Sequence, residues 1–304
     1  MLSQEVDNYL QLRRACGFMM KQAQYHLRSF ARYACERGES HIRSQTAMDW
    51  ASGAPSASAS ETRIRSLHRF ARYLRAEDKG HELPPTRIFA SGIPRRPVPY
   101  ILSQSEIEQI LQAASRLGPS GSLRPLTYYT LFGLLAATGL RISEALSLRI
   151  DDITADGLVI RESKFHKSRL VSLHETTKTA LQNYLEKRCK TGGLDEHIFI
   201  TTKGRGLQYD GAIRTFRTIV TTLGLQPRNG QRTPRLHSLR HTFAVRSLET
   251  CPRGYQNVTR HLLALSTYLG HARARDTYWY LQVTPQLMTD IADACEAFIE
   301  GQPS

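Results

Sequence analysis

The sequence predicts a mainly α-helical chain in two domains, the second carrying a small β-hairpin. Three observations predict it. Apolar residues recur at three- and four-residue steps along most of the chain. The β-like runs are short, Leu158–Arg161 and Leu170–Leu173, and a polar turn bridges them. A basic stretch over 84–99, with Pro84, Pro85, Pro94, Pro97 and Pro99 among Arg87, Arg95 and Arg96, reads as an extended linker. It separates residues 1–83 from residues 100–304.

Residues 1–80 read as helical, with Met20, Ala23, Leu27, Phe30 and Ala34 on one stripe and Lys21, Arg28 and Arg32 elsewhere. The small, turn-rich run ASGAPSASAS over 51–60 reads as a loop, with Ser60 placed to cap the next helix. That helix, expected over 61–78, has two faces. Ile64, Leu67, Phe70, Ala71 and Leu74 share one side, and Arg65, His68, Arg69, Arg72 and Arg75 the other. Charged faces are usually just solvated. A single-signed stripe repels itself unless an anion neutralises it, which favours contact with a DNA backbone.

In the second part, Ser103 and Glu106 form a capping box before an apolar helix. A buried helix is expected over Leu126–Ala137, then the hairpin, then helices near 175–190, 210–223, 238–250, 258–269 and 285–299. The last would carry Leu287, Ile291, Ala294 and Phe298 on one side, to pack on its own domain or on a neighbouring subunit.

The chain of 304 residues has 41 Lys+Arg against 27 Asp+Glu, a net charge of +14. Residues 1–96 hold 16 basic against 9 acidic side chains and the remainder 25 against 18, so each part carries +7. A field of this sign favours a polyanion, nucleic acid ahead of an anionic membrane. Five cysteines, an odd number without a C-x-x-C spacing, argue against a disulfide framework and a zinc site and fit a reducing cytoplasm. The opening MLSQEVDNYL lacks the pattern of a signal peptide, and the longest apolar run, Leu131–Leu140, is too short to cross a bilayer.

Several residues carry chemistry. Gly139 ends one helix and Arg141 opens the next, where free backbone N–H groups also favour an anion. A guanidinium grips two phosphate oxygens at once, and Glu144, one turn on, is placed to hold it; alone, such a pair is an ordinary surface ion pair. His237 and Arg240 lie near one face of a helix start, a second clamp beside a group that titrates near neutrality. His241 reads as packing. Lys164 at the hairpin tip is placed to protonate a leaving oxygen, with Lys167 and Arg169 as basic neighbours that would meet DNA. His271 follows Leu269-Gly270, and Tyr278 and Tyr280 are equal candidates for a nucleophile. No carboxylate cluster suggests a metal.

Taken together, ATGLRISEAL around Arg141, the hairpin lysine, LHSLRHTFA around His237 and Arg240, and LGHARARDTYWY make the chain resemble the tyrosine recombinase (phage integrase) family, as a Xer-like or transposon-encoded member. The stretch around ETCPRGYQNV looks longer than in Xer-like members. The resemblance selects Tyr280, nine residues after the glycine–histidine pair, over Tyr278, and Lys164, the first lysine of K-x-x-K-x-R, over Lys167. It implies a helical, SAM-like core-binding domain and an α+β catalytic domain that close on DNA as a clamp. It implies strand exchange through a 3′-phosphotyrosine bond, without metal, ATP or other cofactor, by a homotetramer on paired sites, with accessory proteins in some systems. Relaxation of DNA in the manner of a type IB topoisomerase is an alternative with the same chemistry, and a catalytically silent DNA-binding regulator is another.

Overall fold

The computed structural model describes residues 2–89, 98–163, 167–191, 195–227, 231–250, 255–271, 275–281 and 296. They fall into two compact units, Met1–Arg96 and Pro97–Ser304.

The first unit is built from α1 (Leu2–Ala15), α2 (Lys21–Cys35), α3 (Ser44–Ser52) and α4 (Ala57–Leu74). Their apolar stripes meet in one core of Val6, Leu10, Leu27, Phe30, Ile64, Leu67 and Phe70. Each such side chain contributes about 1.5–3 kcal/mol by leaving water. The loop expected over 51–60 is shorter than the composition suggests, because α3 runs to Ser52 and α4 starts at Ala57. Ser56 supplies the cap, its hydroxyl accepting the Ala59 N–H at 3.3 Å, while Ser60 is buried inside the helix. Ala57–Ser60 contains no Gly or Pro, so a cap upstream of it lets the helix take the run in. Along α4, Arg65, Arg69 and Arg72 are exposed, as is Arg75 just beyond it, while the opposite side is buried.

The second unit contains α5 (Gln104–Ser115), α6 (Arg124–Thr138), α7 (Ile142–Ser147), a 3-10 turn (Ile150–Asp152), β1 (Ile153–Thr154), β2 (Gly157–Ser163), β3 (Lys167–Val171), α8 (Glu175–Cys189), α9 (Tyr209–Thr222), α10 (Leu236–Glu249), α11 (Tyr255–Tyr268) and α12 (Arg275–Leu281). Among the described residues the chain is thus mostly helical with one small antiparallel sheet, ordered β1-β2-β3. The two-residue β1 is too short to show a period, and the tyrosine-rich run before Leu281 folds as α12; neither is among the elements the sequence predicts. The Ser103–Glu106 capping box is present in both halves, at 3.1 and 2.7 Å. Phe132 packs edge-on against Phe216, with centroids 5.3 Å apart, at the centre of the main core. A smaller core gathers α10, α11 and α12 around Val245, Leu248, Leu265 and Tyr280.

Residues 90–97, with Arg95 and Arg96, lie outside the described residues, as do Lys164 and the expected tail helix over 285–299 except for Glu296. Residues 251–254 of the ETCPRGYQNV stretch lie outside them too. Among the described residues no helix is long and apolar enough to cross a membrane.

Candidate active site

The site is organised by the C-terminal end of α11. A helix leaves its last carbonyls without intrahelical partners, and its dipole makes that end negative. Gly270, at φ 64°, turns the chain away and leaves three consecutive carbonyls open. Arginines fill all three. Arg169 Nε donates to Tyr268 O at 2.8 Å, Arg240 Nη2 to Leu269 O at 2.7 Å, and Arg141 Nη2 to Gly270 O at 3.0 Å. A second sharp turn contributes a fourth carbonyl: Gly139, at φ 61°, accepts from Arg240 Nη1 at 2.7 Å. An added Cβ at Gly139 would stand 2.5 Å from the Phe243 ring, and one at Gly270 would stand 2.7 Å from the Arg169 guanidinium. Both turns therefore need glycine for backbone and for space.

Glu144 ties two of the arginines together. Its carboxylate accepts from the Arg141 backbone at 3.0 Å and side chain at 2.7 Å, and from both forks of Arg169 at 2.8 and 3.2 Å. Burial pushes its pKa up, but the bonds and charge of Arg169, helped by Arg141, outweigh that and hold it below the ordinary value. With Arg240 beside them, bonded to carbonyls and not to Glu144, three guanidiniums stand against this one carboxylate, so the cluster keeps an excess of two positive charges. Arg240 is 2% exposed, and burial, then the charge of Arg141, lowers its pKa to about 10, which still leaves it charged at neutrality.

His271 follows Gly270 directly. Its Nδ1 lies 2.6 Å from the hydroxyl of Thr277, a buried residue of α12. Burial, then the charges of Arg240 and Arg141, push its pKa down to about 4, so it is neutral at physiological pH. The ring of Tyr280 lies nearly parallel to that of His271, 6.2 Å between centroids. Tyr280 is 2% exposed, and its hydroxyl lies 3.0 Å from His241 Nδ1. His241 meets the edge of His237 with centroids 4.4 Å apart, and His237 is exposed in the first turn of α10.

Residues 101–286, which hold every member of this cluster, match the sequence model of the phage integrase family. The chain belongs to that family, the tyrosine recombinases. Two relatives from Sinorhizobium fredii carry integrase/recombinase names. y4rB is 36% identical over 297 residues, spanning 94% of each chain, and y4rE is 36% identical over 310 residues, spanning 99% of this chain and 97% of its own. Among solved structures, the Tn1549 transposon integrase in complex with transposon right end DNA aligns with a TM-score of 0.64, over 92% of this chain and 94% of that one. At 16% identity that likeness establishes the fold.

In this tyrosine recombinase chain the fold brings together Arg141, Glu144, Arg240, His271 and Tyr280, with His237 joined through His241. Lys164 lies outside the described residues, and of Lys167 the backbone alone is described, at the start of β3. Arg169 corrects an expectation. The sequence makes it look like an exposed DNA contact, yet its side chain is 11% exposed and its donors are spent on Glu144 and Tyr268. The cause is the register of the hairpin. Arg169 pairs with the buried Ile160, and residues opposite each other in a sheet share a face, so Arg169 points inward while Leu170 is left 48% exposed. Tyr278 is likewise 48% exposed, on the other side of α12 from Tyr280. His241, a packing residue on its sequence position, contacts the Tyr280 hydroxyl. The signal was its place four residues after His237, which puts both rings on one side of α10.

One group of possible metal ligands occurs among the described residues, in the first unit: His41, Asp78 and His81, with ligand atoms within 4.8 Å of one another. His81 Nδ1 accepts the Ile42 backbone N–H at 3.1 Å, which puts the ring proton on Nε2, the atom facing Asp78. That geometry suits a hydrogen-bonded clasp between two loops better than a metal.

Proposed function

We propose that the chain is a site-specific DNA recombinase that cuts and rejoins DNA through a 3′-phosphotyrosine bond to Tyr280. The observation that carries the proposal is the cluster of three guanidiniums and one carboxylate converging beside the Tyr280 and His271 rings. A phosphodiester has one negative charge, and the pentacoordinate species formed by attack on it has two. A cluster with two uncompensated positive charges therefore favours the transition state over the ground state. Arg141 and Arg240 are the proposed clamps, and His271 is a neutral hydrogen-bond donor to the phosphate through the ring nitrogen not facing Thr277. Glu144 and Arg169 hold Arg141 in place. Losing one clamp costs on the order of 100- to 1000-fold in rate, as with an oxyanion donor.

Family membership supports the rest of the reading. Lys164 and His237 serve the leaving 5′-oxygen. Arg65, Arg69, Arg72 and Arg75 in the first unit meet the DNA backbone, and Arg95, Arg96 and Lys167 add to that contact. The substrate is double-stranded DNA with a specific site, and the working assembly is a homotetramer. Accessory proteins belong to the reading where the site has flanking sequence for them. Cleavage conserves the bond energy in the phosphotyrosine linkage, so no ATP is needed, and with the arginines supplying the positive charge the reaction should proceed in a chelator.

The test is incubation with nicked duplexes drawn from the flanks of the gene, in EDTA and without nucleotide. A covalent protein–DNA adduct is expected from the native chain and from Tyr278→Phe, and none from Tyr280→Phe. The reverse pattern would overturn the choice of nucleophile.

A further inference from the structure

We infer that His241 accepts the hydroxyl proton of Tyr280 as its oxygen attacks phosphorus. The inference deepens the reading above and rests on it. A phenol with the usual pKa of about 10 is ionised to only about one part in a thousand at pH 7, so attack by a tyrosine needs a proton acceptor in contact with it. Tyr280 is 2% exposed, which leaves bulk water little access to the hydroxyl. His241 Nδ1 lies 3.0 Å from that oxygen, within direct transfer distance.

The other two histidines suit the task less well. The His271 ring lies at 12° to the Tyr280 ring with centroids 6.2 Å apart, and its Nδ1 faces Thr277. Burial and two guanidiniums have also made it a weak base. His237 is exposed, one ring further out, and touches the edge of His241. The order Tyr280, His241, His237 runs from the buried oxygen to the surface, so a second imidazole stands beside His241 on its outer side.

The step balances as follows. The Tyr280 O–H bond breaks and its proton moves to His241 Nδ1, a transfer that requires the neutral tautomer with its proton on Nε2. The tyrosine oxygen bonds to phosphorus, the bond from phosphorus to the 5′-oxygen breaks, and that oxygen takes a proton from the donor side, assigned above to Lys164 and His237. Rejoining runs the same transfers backwards, His241 returning its proton to Tyr280.

The experiment is single-turnover cleavage of the nicked duplex by the full chain, with His241→Asn and His241→Gln, from pH 6 to pH 9. It uses two substrates, the ordinary one and one in which sulfur replaces the leaving 5′-oxygen. Sulfur leaves without being protonated, so it rescues a variant on the donor side such as Lys164→Ala and leaves the acceptor side unaided. The expected result is a loss on the order of 100- to 10,000-fold at pH 7 for both His241 variants. The loss should shrink about tenfold per pH unit as more of the phenol ionises by itself, and sulfur should not relieve it. Added imidazole should restore part of the rate in His241→Ala. Native rates in both variants would overturn the inference. So would rescue by sulfur, which would make His241 a donor, or a loss unchanged from pH 6 to pH 9, which would make it structural. If the native chain itself gives no adduct that depends on Tyr280, the recombinase reading fails; a native adduct with unimpaired His241 variants sinks the inference alone.

Discussion

Glu144→Gln should destabilise the second unit by about 3–5 kcal/mol at neutral pH, the cost of breaking a buried ion pair. The carboxylate is 8% exposed in its side chain, so solvent screens it little. It takes four hydrogen bonds, three from guanidinium groups and one from a backbone N–H. The amide keeps the volume but turns an NH2 toward Arg141 or Arg169 and leaves three guanidiniums with no counter-charge. The pH dependence has a definite sign. The pKa of Glu144 is held below its ordinary 4.5 in the folded chain. Its ionised form therefore contributes stability that is fully present above that value and is lost as pH falls through the folded pKa. The gap between native chain and variant should be wide at pH 7 and close on the acid side of 4.5. Urea unfolding of the full chain in a Trp50→Phe background isolates the signal of Trp279, the other of two tryptophans, which adjoins Tyr280 in the second unit. A gap below about 1 kcal/mol at pH 7, or one that stays constant as the pH is lowered, would refute the view that Glu144 is the charge holding this cluster together.

Gly139→Ala should cost about 1–3 kcal/mol, since the new methyl group meets the Phe243 ring and the backbone is left-handed, and adduct formation should fall with it because Gly139 O orients Arg240. His271→Asn should flatten the acid limb of stability. With the folded pKa near 4 and the ordinary one at 6.5, the unfolded chain takes up a proton first, so the native chain weakens as pH falls from 6.5 towards 4 and the variant, lacking that group, weakens less; melting temperatures over this range check it. Arg69→Ala and Arg72→Ala should each lower the slope of log affinity against log salt for DNA by about 0.9. Arg169→Ala should leave that slope unchanged and lower stability, which filter binding and urea unfolding together will separate.

Much of the architecture was readable because it depends on local chemistry. The stripe of α4, the Ser103–Glu106 box and the helix stop at Gly139 are set by residues within a turn or two of each other, so spacing alone exposes them. The small sheet was readable as a hairpin, while β1 was not, since two residues have no period. The family likeness was readable for a different reason: motifs such as those around Arg141 and His237 sit at helix starts, where the chain order of a few residues is visible without the fold.

What escaped the sequence was sidedness across long separations. Arg169 looks like the third base of an exposed turn until β3 is placed in register, and its bond to Tyr268 spans 99 residues. No periodicity announces that an arginine, with Leu170 beside it, takes the inward position. Tyr278 and Tyr280 are equal on local pattern, with only the family resemblance selecting Tyr280, and become unlike once α12 forms, because two residues along a helix is about 200° of rotation. The same rotation argument applies to His241. Next to Arg240 it looks like a packing residue, while its place four residues after His237 puts both rings on one side of α10. For Arg169 and His241 the neighbour that matters is the one across the element, not the one next in sequence. The site itself follows the same logic, since three arginines separated by as many as 99 positions, Arg141 to Arg240, become one charge cluster only by sharing the open end of α11.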